Sequence, residues 1–173
     1  MRVSARVGAV GIALVAMTLA GSAGTAFAAG GFGEVSSRWS GRCFDMRAQD
    51  GTGNGVLLQQ WDCTGKPEQE FSKLSFNGDN DFLLVNQRSG RCLRPSGGAT
   101  NAGALIEQVD CNVNDPSQHW QTYDPGANST GAKFLKSNQS GRCVEDSAWD
   151  TRNGILLTMS DCVLGWKDYW FGL

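Results

Sequence analysis

Two hydrophobic patterns divide this chain of 173 residues. Near the start, residues 7–21 (VGAVGIALVAMTLAG) form one apolar stretch. Beyond it, short apolar runs alternate with turns rich in glycine, asparagine and aspartate. Three of these runs, Val56-Leu57-Leu58, Ala104-Leu105-Ile106 and Ile155-Leu156-Leu157, each follow a glycine (Gly55, Gly103, Gly154). Asn54 and Asn153 complete Asn-Gly turns in two of them, so each run reads as a β-strand entered from a tight turn. Further on come Gln69-Glu70-Phe71, Gln118-His119-Trp120 and Asp168-Tyr169-Trp170, whose recurrent third-place aromatic predicts that Phe71, Trp120 and Trp170 are core residues. Residues 71–87 and 120–139 read as hairpins with Asn, Gly and Asp in their turns. No such second strand follows Trp170, and Phe32 to Trp39 occupies the equivalent place before the first repeat. The N-terminal strand is therefore expected to pair with the C-terminal one. Four strands in each of three segments predict twelve, closed by the termini so that no sheet edge stays exposed.

The periodicity is a repeat of about 50 residues. Ser-Gly-Arg-Cys opens and Asp-Cys closes each of residues 40–63, 89–111 and 140–162. The second cysteine follows the first by 20, 19 and 19 positions. Counting alone leaves the pairing of six cysteines open. Repeat symmetry makes Cys43–Cys63, Cys92–Cys111 and Cys143–Cys162 the economical connectivity, each closing a loop worth roughly 3 kcal/mol in chain entropy. A zinc site would want close Cys-x-x-Cys pairs with histidine support, whereas these cysteines are far apart and His119 is the only histidine. No metal and no cofactor are expected.

An even cysteine count suits an oxidising compartment, and the N-terminus points the same way. An Arg-bearing start (MRVSAR), the apolar stretch and the small-x-small Ala26-Phe27-Ala28 read as an export signal over residues 1–28, with cleavage before Ala29. The apolar part is shorter than the ~20 residues that span a bilayer. The expectation is a secreted, extracellular protein with a single domain over residues 29–173. Arg2 and Arg6 fall in the signal, which leaves 13 basic against 17 acidic residues. That balance speaks against nucleic-acid and anionic-membrane partners. With 18% charged residues and 23 glycines, the composition is too uncharged and aromatic for disorder and too turn-rich for a helical bundle. The fold class expected is all-β.

Cys43-x-Asp45, the Asn54-Gly55 turn followed by Gln59, Trp61 and Cys63, and the recurrent Gln-x-aromatic together resemble the ricin B-type lectins, a carbohydrate-binding family with a β-trefoil fold. The resemblance covers essentially all of residues 29–173. It implies sugar binding in shallow pockets, at most one per repeat. Each would use an acid two places after the first cysteine, a polar residue four before the second, an aromatic two before it, and an Asn-Gln pair heading the Gln-x-Trp motif. A carboxylate accepts from sugar hydroxyls, amides complete the network, and an aromatic face covers the C–H side of the ring.

The first repeat matches best, with Asp45, Gln59, Trp61 and Gln69, and galactose- or xylose-type sugars are the implied ligands. Glu68 departs from the family's asparagine and would add a second negative charge near Asp45. In the second repeat Arg94, Glu107 and Val109 replace acid, amide and ring, so that pocket reads as lost. In the third, Glu145 could replace the acid, but Thr158, Ser160 and Lys167-Asp168 leave neither ring nor amide pair, unless Trp149 or Trp166 supplies one. Asp62, Asp110 and Asp161 recur whatever the pocket's quality, and so do Arg42, Arg91 and Arg142. Both sets are expected to be structural, the arginines at strand ends. His119 reads as a surface or packing residue. No catalytic triad, phosphate loop or paired carboxylates stand out, so no enzyme is expected. The alternative is a trefoil with decayed sugar sites that binds another protein, as an inhibitor or interaction module, through Trp149 and Trp166.

Overall fold

The computed structural model describes residues 31–124, 126, 131–146, 150–163 and 168–173. The expected export signal, Trp149, Trp166 and Lys167 lie outside the described residues. Within them the strands are β1 (Gly33–Glu34), β2 (Ser36–Ser37), β3 (Cys43–Met46), β4 (Leu58–Trp61), β5 (Glu70–Ser75), β6 (Phe82–Asn86) and β7 (Cys92–Pro95). They continue as β8 (Ile106–Val109), β9 (Trp120–Tyr123), β10 (Phe134–Ser137), β11 (Cys143–Asp146), β12 (Leu157–Ser160) and β13 (Trp170–Phe171). Only short 3-10 turns interrupt them, so the all-β expectation holds.

Six of the expected strands close into a barrel. β1 pairs β5, β5 pairs β6, β6 meets β9 at Phe82 and Trp120, and β9 pairs β10, all antiparallel. A bridge between Lys133 and Trp170 joins the start of β10 to β13, and β13 pairs β2 with Trp170 opposite Ser37. The expected union of the two ends is therefore present. The N-terminal strand is split, however, and this makes thirteen strands among the described residues rather than twelve. The break falls at buried Val35, where the chain changes neighbours: β1 before it pairs β5, and β2 after it pairs β13 and β3. The Val35 carbonyl accepts from the Phe44 amide at 2.8 Å.

The other strands form three hairpins, β3–β4, β7–β8 and β11–β12. Isolated bridges Leu57–Glu107, Gln59–Leu156 and Leu105–Thr158 join them into a three-cornered cap over the barrel. One face of each hairpin enters the core. Phe44, Leu93 and Val144 occupy matching places there, as do Leu58, Ile106 and Leu157, all fully buried. Phe71, Trp120 and Trp170 lie in the same core, as the repeat predicts. The Trp120 and Trp170 indoles each donate at 3.0 Å to the carbonyl of the matching hairpin residue, Leu93 and Val144. Phe71 has no such donor and meets Phe44 edge-on at 5.9 Å. Replacing a buried Trp of this kind by Ala typically costs about 3–5 kcal/mol.

The three disulfides pair as repeat symmetry requires, with Cα–Cα distances of 5.1, 4.9 and 5.1 Å. The recurrent Arg and Asp residues are structural, and they do more than end strands. Arg42 pairs with Asp62 and reaches across to the third repeat, donating to the Thr151 carbonyl and to Asn153 Oδ1. Asn153 in turn donates to Asp62 at 2.7 Å. Arg91 and Asp110 hold Thr52 and Asn54 of the first repeat in the same way. Arg142 and Asp161 hold Thr100 of the second, where Ala102 stands in the asparagine's place. Each repeat thus grips the turn of the one before it, around a closed ring.

Candidate functional site

The first repeat's pocket grows from the alternation of β3. Phe44 and Met46 point into the core, which turns Asp45 to the opposite face, directly across from Gln59 on β4. Gln59 Nε2 donates to Asp45 Oδ1 at 2.8 Å. The second amide comes from the turn before β5, where Gln69 Nε2 donates to Asp45 Oδ2 at 2.9 Å. Gln69 is itself pinned, because its Oε1 accepts from the Thr64 amide at 2.7 Å and its Nε2 also meets the Asp62 carbonyl at 2.9 Å. Both carboxylate oxygens are therefore oriented from within the protein, and each keeps a lone pair for a ligand.

Asp45, Gln59 and Gln69 are only 6%, 3% and 1% exposed, whereas Trp61 two residues along β4 is 39% exposed. Together they line a pocket of about 200 Å³ with Ala48, Gln49, Thr64, Lys66 and Glu68. The combination is a polar floor under an open aromatic wall. Burial pushes the Asp45 carboxyl above its ordinary 3.8, the Gln59 and Gln69 hydrogen bonds pull against it, and Glu68's negative charge adds to the rise. The expected second negative charge is thus felt by Asp45.

All five sequence-derived site residues come together here. The other four lining residues, Ala48, Gln49, Thr64 and Lys66, carry no motif that marks them. Gly154 of the third repeat, on the turn held by the Arg42–Asp62–Asn153 clamp, stands beside the pocket. A Cβ on Gly154 would lie 3.6 Å from the Trp61 ring and 3.9 Å from Gln59 Oε1. Its φ of +84° is the turn conformation that the Asn153-Gly154 pair supplies.

The corresponding places in the second repeat hold a different chemistry. Arg94 Nε donates to Glu107 at 3.0 Å and Nη1 to Asp115 at 3.3 Å, so the two charged replacements satisfy one another across the hairpin. Glu107 also accepts from Ser96 and from the Gly97 amide, which hold it in its charged form together with Arg94. Val109 is buried and offers no ring. In the third repeat Glu145 lies opposite Thr158, and Asp168 is fully buried with Val163 N donating to it at 3.3 Å. His119 packs on Phe76 at 5.4 Å and bonds Asp81 and the Val113 carbonyl, as a packing residue would.

The fold and the family are borne out by comparison with known proteins. A search of curated proteins finds no match. Among solved structures, the designed three-fold symmetric protein ThreeFoil superposes with a TM-score of 0.74 at 23% identity, over 82% of this chain and 96% of that one. An exo-beta-1,3-galactanase from Clostridium thermocellum gives 0.71 at 22% identity over 79% of this chain, but only 28% of the galactanase is covered. The C-half of an earthworm R-type lectin, solved in complex with GalNAc, gives 0.59 at 14% identity over 81% of this chain and 95% of that one. These likenesses establish the β-trefoil. The family model of the ricin-type beta-trefoil lectin domain matches residues 31–170. The chain therefore belongs to the ricin-type β-trefoil lectin domain family, a membership that implies carbohydrate binding.

Proposed function

We propose that the protein is a secreted carbohydrate-binding protein whose working site is the first-repeat pocket, with galactose- or xylose-type sugars as ligands. The observation that carries this reading is the Asp45 carboxylate, buried yet oriented by two glutamine amides beside the exposed Trp61 ring. Such a carboxylate accepts from two neighbouring sugar hydroxyls without further reorganisation, and the indole covers the apolar face of the ring. The pocket is small and open to water, so single-site affinity is weak. Secretion is supported by the signal-like pattern of residues 1–28, and the three disulfides fit an oxidising compartment.

A glycan array with oxidised residues 29–173 tests the reading, run beside Asp45→Ala and Trp61→Ala variants whose folding is checked by circular dichroism. Binding to a galactose- or xylose-containing glycan that both variants lose is expected. Binding that survives in both moves the site elsewhere, and no binding at millimolar sugar removes the proposal.

A further inference from the structure

Glu68 is the acidic group in the first-repeat pocket that the fold leaves unused. Its backbone is fixed, because Asn86 Nδ2 donates to the carbonyls of Pro67, Glu68 and Glu70 at 3.3, 3.1 and 3.3 Å. Its side chain is half-buried on the pocket wall and forms no hydrogen bond or ion pair among the described residues. Asp45, in contrast, has its two oxygens held by Gln59 and Gln69. A positioned carboxylate can only accept, and its strongest partners are charged donors. Lys66, the cation on the same wall, is exposed and makes no pair with Glu68, and its influence on Asp45 is weaker than Glu68's. The pocket therefore holds two carboxylates against one solvent-facing ammonium.

We propose that Glu68 makes this pocket selective for sugars bearing a free, protonated amine, that is hexosamine units, over the parent neutral sugar and over its N-acetylated form. The inference rests on the reading of this pocket as the sugar site. An ammonium next to the hydroxyls held by Asp45 would give Glu68 the donor it lacks. N-acetylation removes the charge and adds bulk at the same place. Acidic sugars would meet two like charges and be excluded.

The test is titration calorimetry at about pH 6, where the sugar amine is charged. Galactose is compared with galactosamine and N-acetylgalactosamine, and glucose with glucosamine, so that the ratio within each series is the readout whichever ring fits better. The amino sugar is expected to bind roughly three- to tenfold tighter than its parent, as a partly screened charge-assisted hydrogen bond allows. The N-acetyl form should show no such gain, and high salt should shrink the advantage. In Glu68→Gln the ratio should fall to about one, and in Lys66→Gln it should rise. Equal affinity within a series that does bind overturns the proposal, and so does an advantage that survives Glu68→Gln. If no sugar binds in any series, the pocket itself is not the sugar site and both readings fall together.

Discussion

Asp45 sets the chemistry of the site through two opposed consequences of one burial. Its carboxyl titrates above the ordinary 3.8 because burial disfavours the charge and Glu68 adds repulsion. A carboxylate whose folded pKa is raised disfavours folding while it is charged, so protonation at falling pH relieves that penalty. Sugar binding at the proposed site should run the other way, since the protonated acid loses acceptor capacity. Asp79, which Lys73 and Lys133 hold at about 2, and Asp62, lowered by its Asn153 and Arg42 hydrogen bonds, keep their stabilising charge over the same range. Affinity for sugar is therefore expected to decline on acidification at a pH above 3.8, before the melting temperature falls. Parallel binding and thermal-melt titrations check this, and a binding midpoint at or below 3.8 would contradict it.

At the scale of elements, the hairpin that carries the pocket abuts a turn that belongs to another repeat. β3 and β4 present Asp45, Gln59 and Trp61, while Gly154 of the Asn153-Gly154 turn stands beside the Trp61 ring and Gln59. The Asn153 side chain hydrogen-bonds Arg42 and Asp62, and through them it holds the turn that carries Gly154. Asn54 holds the same station in the neighbouring clamp with Arg91 and Asp110. Alanine is tolerated at that station, since Ala102 fills it in the third clamp. Asn153→Ala and Asn54→Ala should each fold and lose at most about 1 kcal/mol, because these pairs are solvent-exposed. Only Asn153→Ala should weaken sugar binding, by a few fold. Equal losses of affinity in the two variants would show that the turn does not shape the pocket.

For the molecule as a whole, stability depends on closing the barrel between its two ends. β13 lies between β10 and the split N-terminal strand, and Gly172 directly follows Phe171 at φ +85°. A Cβ there would overlap the Glu34 carbonyl oxygen, so only glycine permits the approach. Gly172→Ala is expected to destabilise by at least about 1–3 kcal/mol, and more if the overlap cannot relax. Gly41→Ala, at φ +69° with open space around it, isolates the backbone component. Thermal unfolding of the two distinguishes them, and an equal fall in melting temperature would mean that the close approach is unimportant. The closed ring also explains the uneven repeats. Positions that build the barrel, the disulfides and the clamps recur three times, whereas the pocket positions have diverged to Arg94, Glu107 and Val109 in one repeat and Glu145, Thr158 and Ser160 in another.

The trefoil was legible from the chain because its determinants act over short distances and recur. Glycine before each apolar run, cysteines 19 or 20 apart and an aromatic after each Gln or Asp state the same local rule three times. Strand pairing, disulfide pairing and the buried Phe71, Trp120 and Trp170 follow from that rule. The five pocket residues were legible too, because the family likeness assigns them and they lie within 25 positions of one another. What the chain did not disclose depends on groups far apart in sequence. The break at Val35 arises because one strand must serve β5 on one side and β13 with β3 on the other. The roles of Arg42 and Asp62 rest on a turn about 90 to 110 positions away. Gln59 and Gln69 prove to be buried supports of Asp45, and Gly154 proves to stand beside Trp61 and Gln59. Periodicity records which face of a strand is buried. Which neighbour satisfies a buried polar group is settled only when the ring of repeats closes and brings those groups within hydrogen-bond reach.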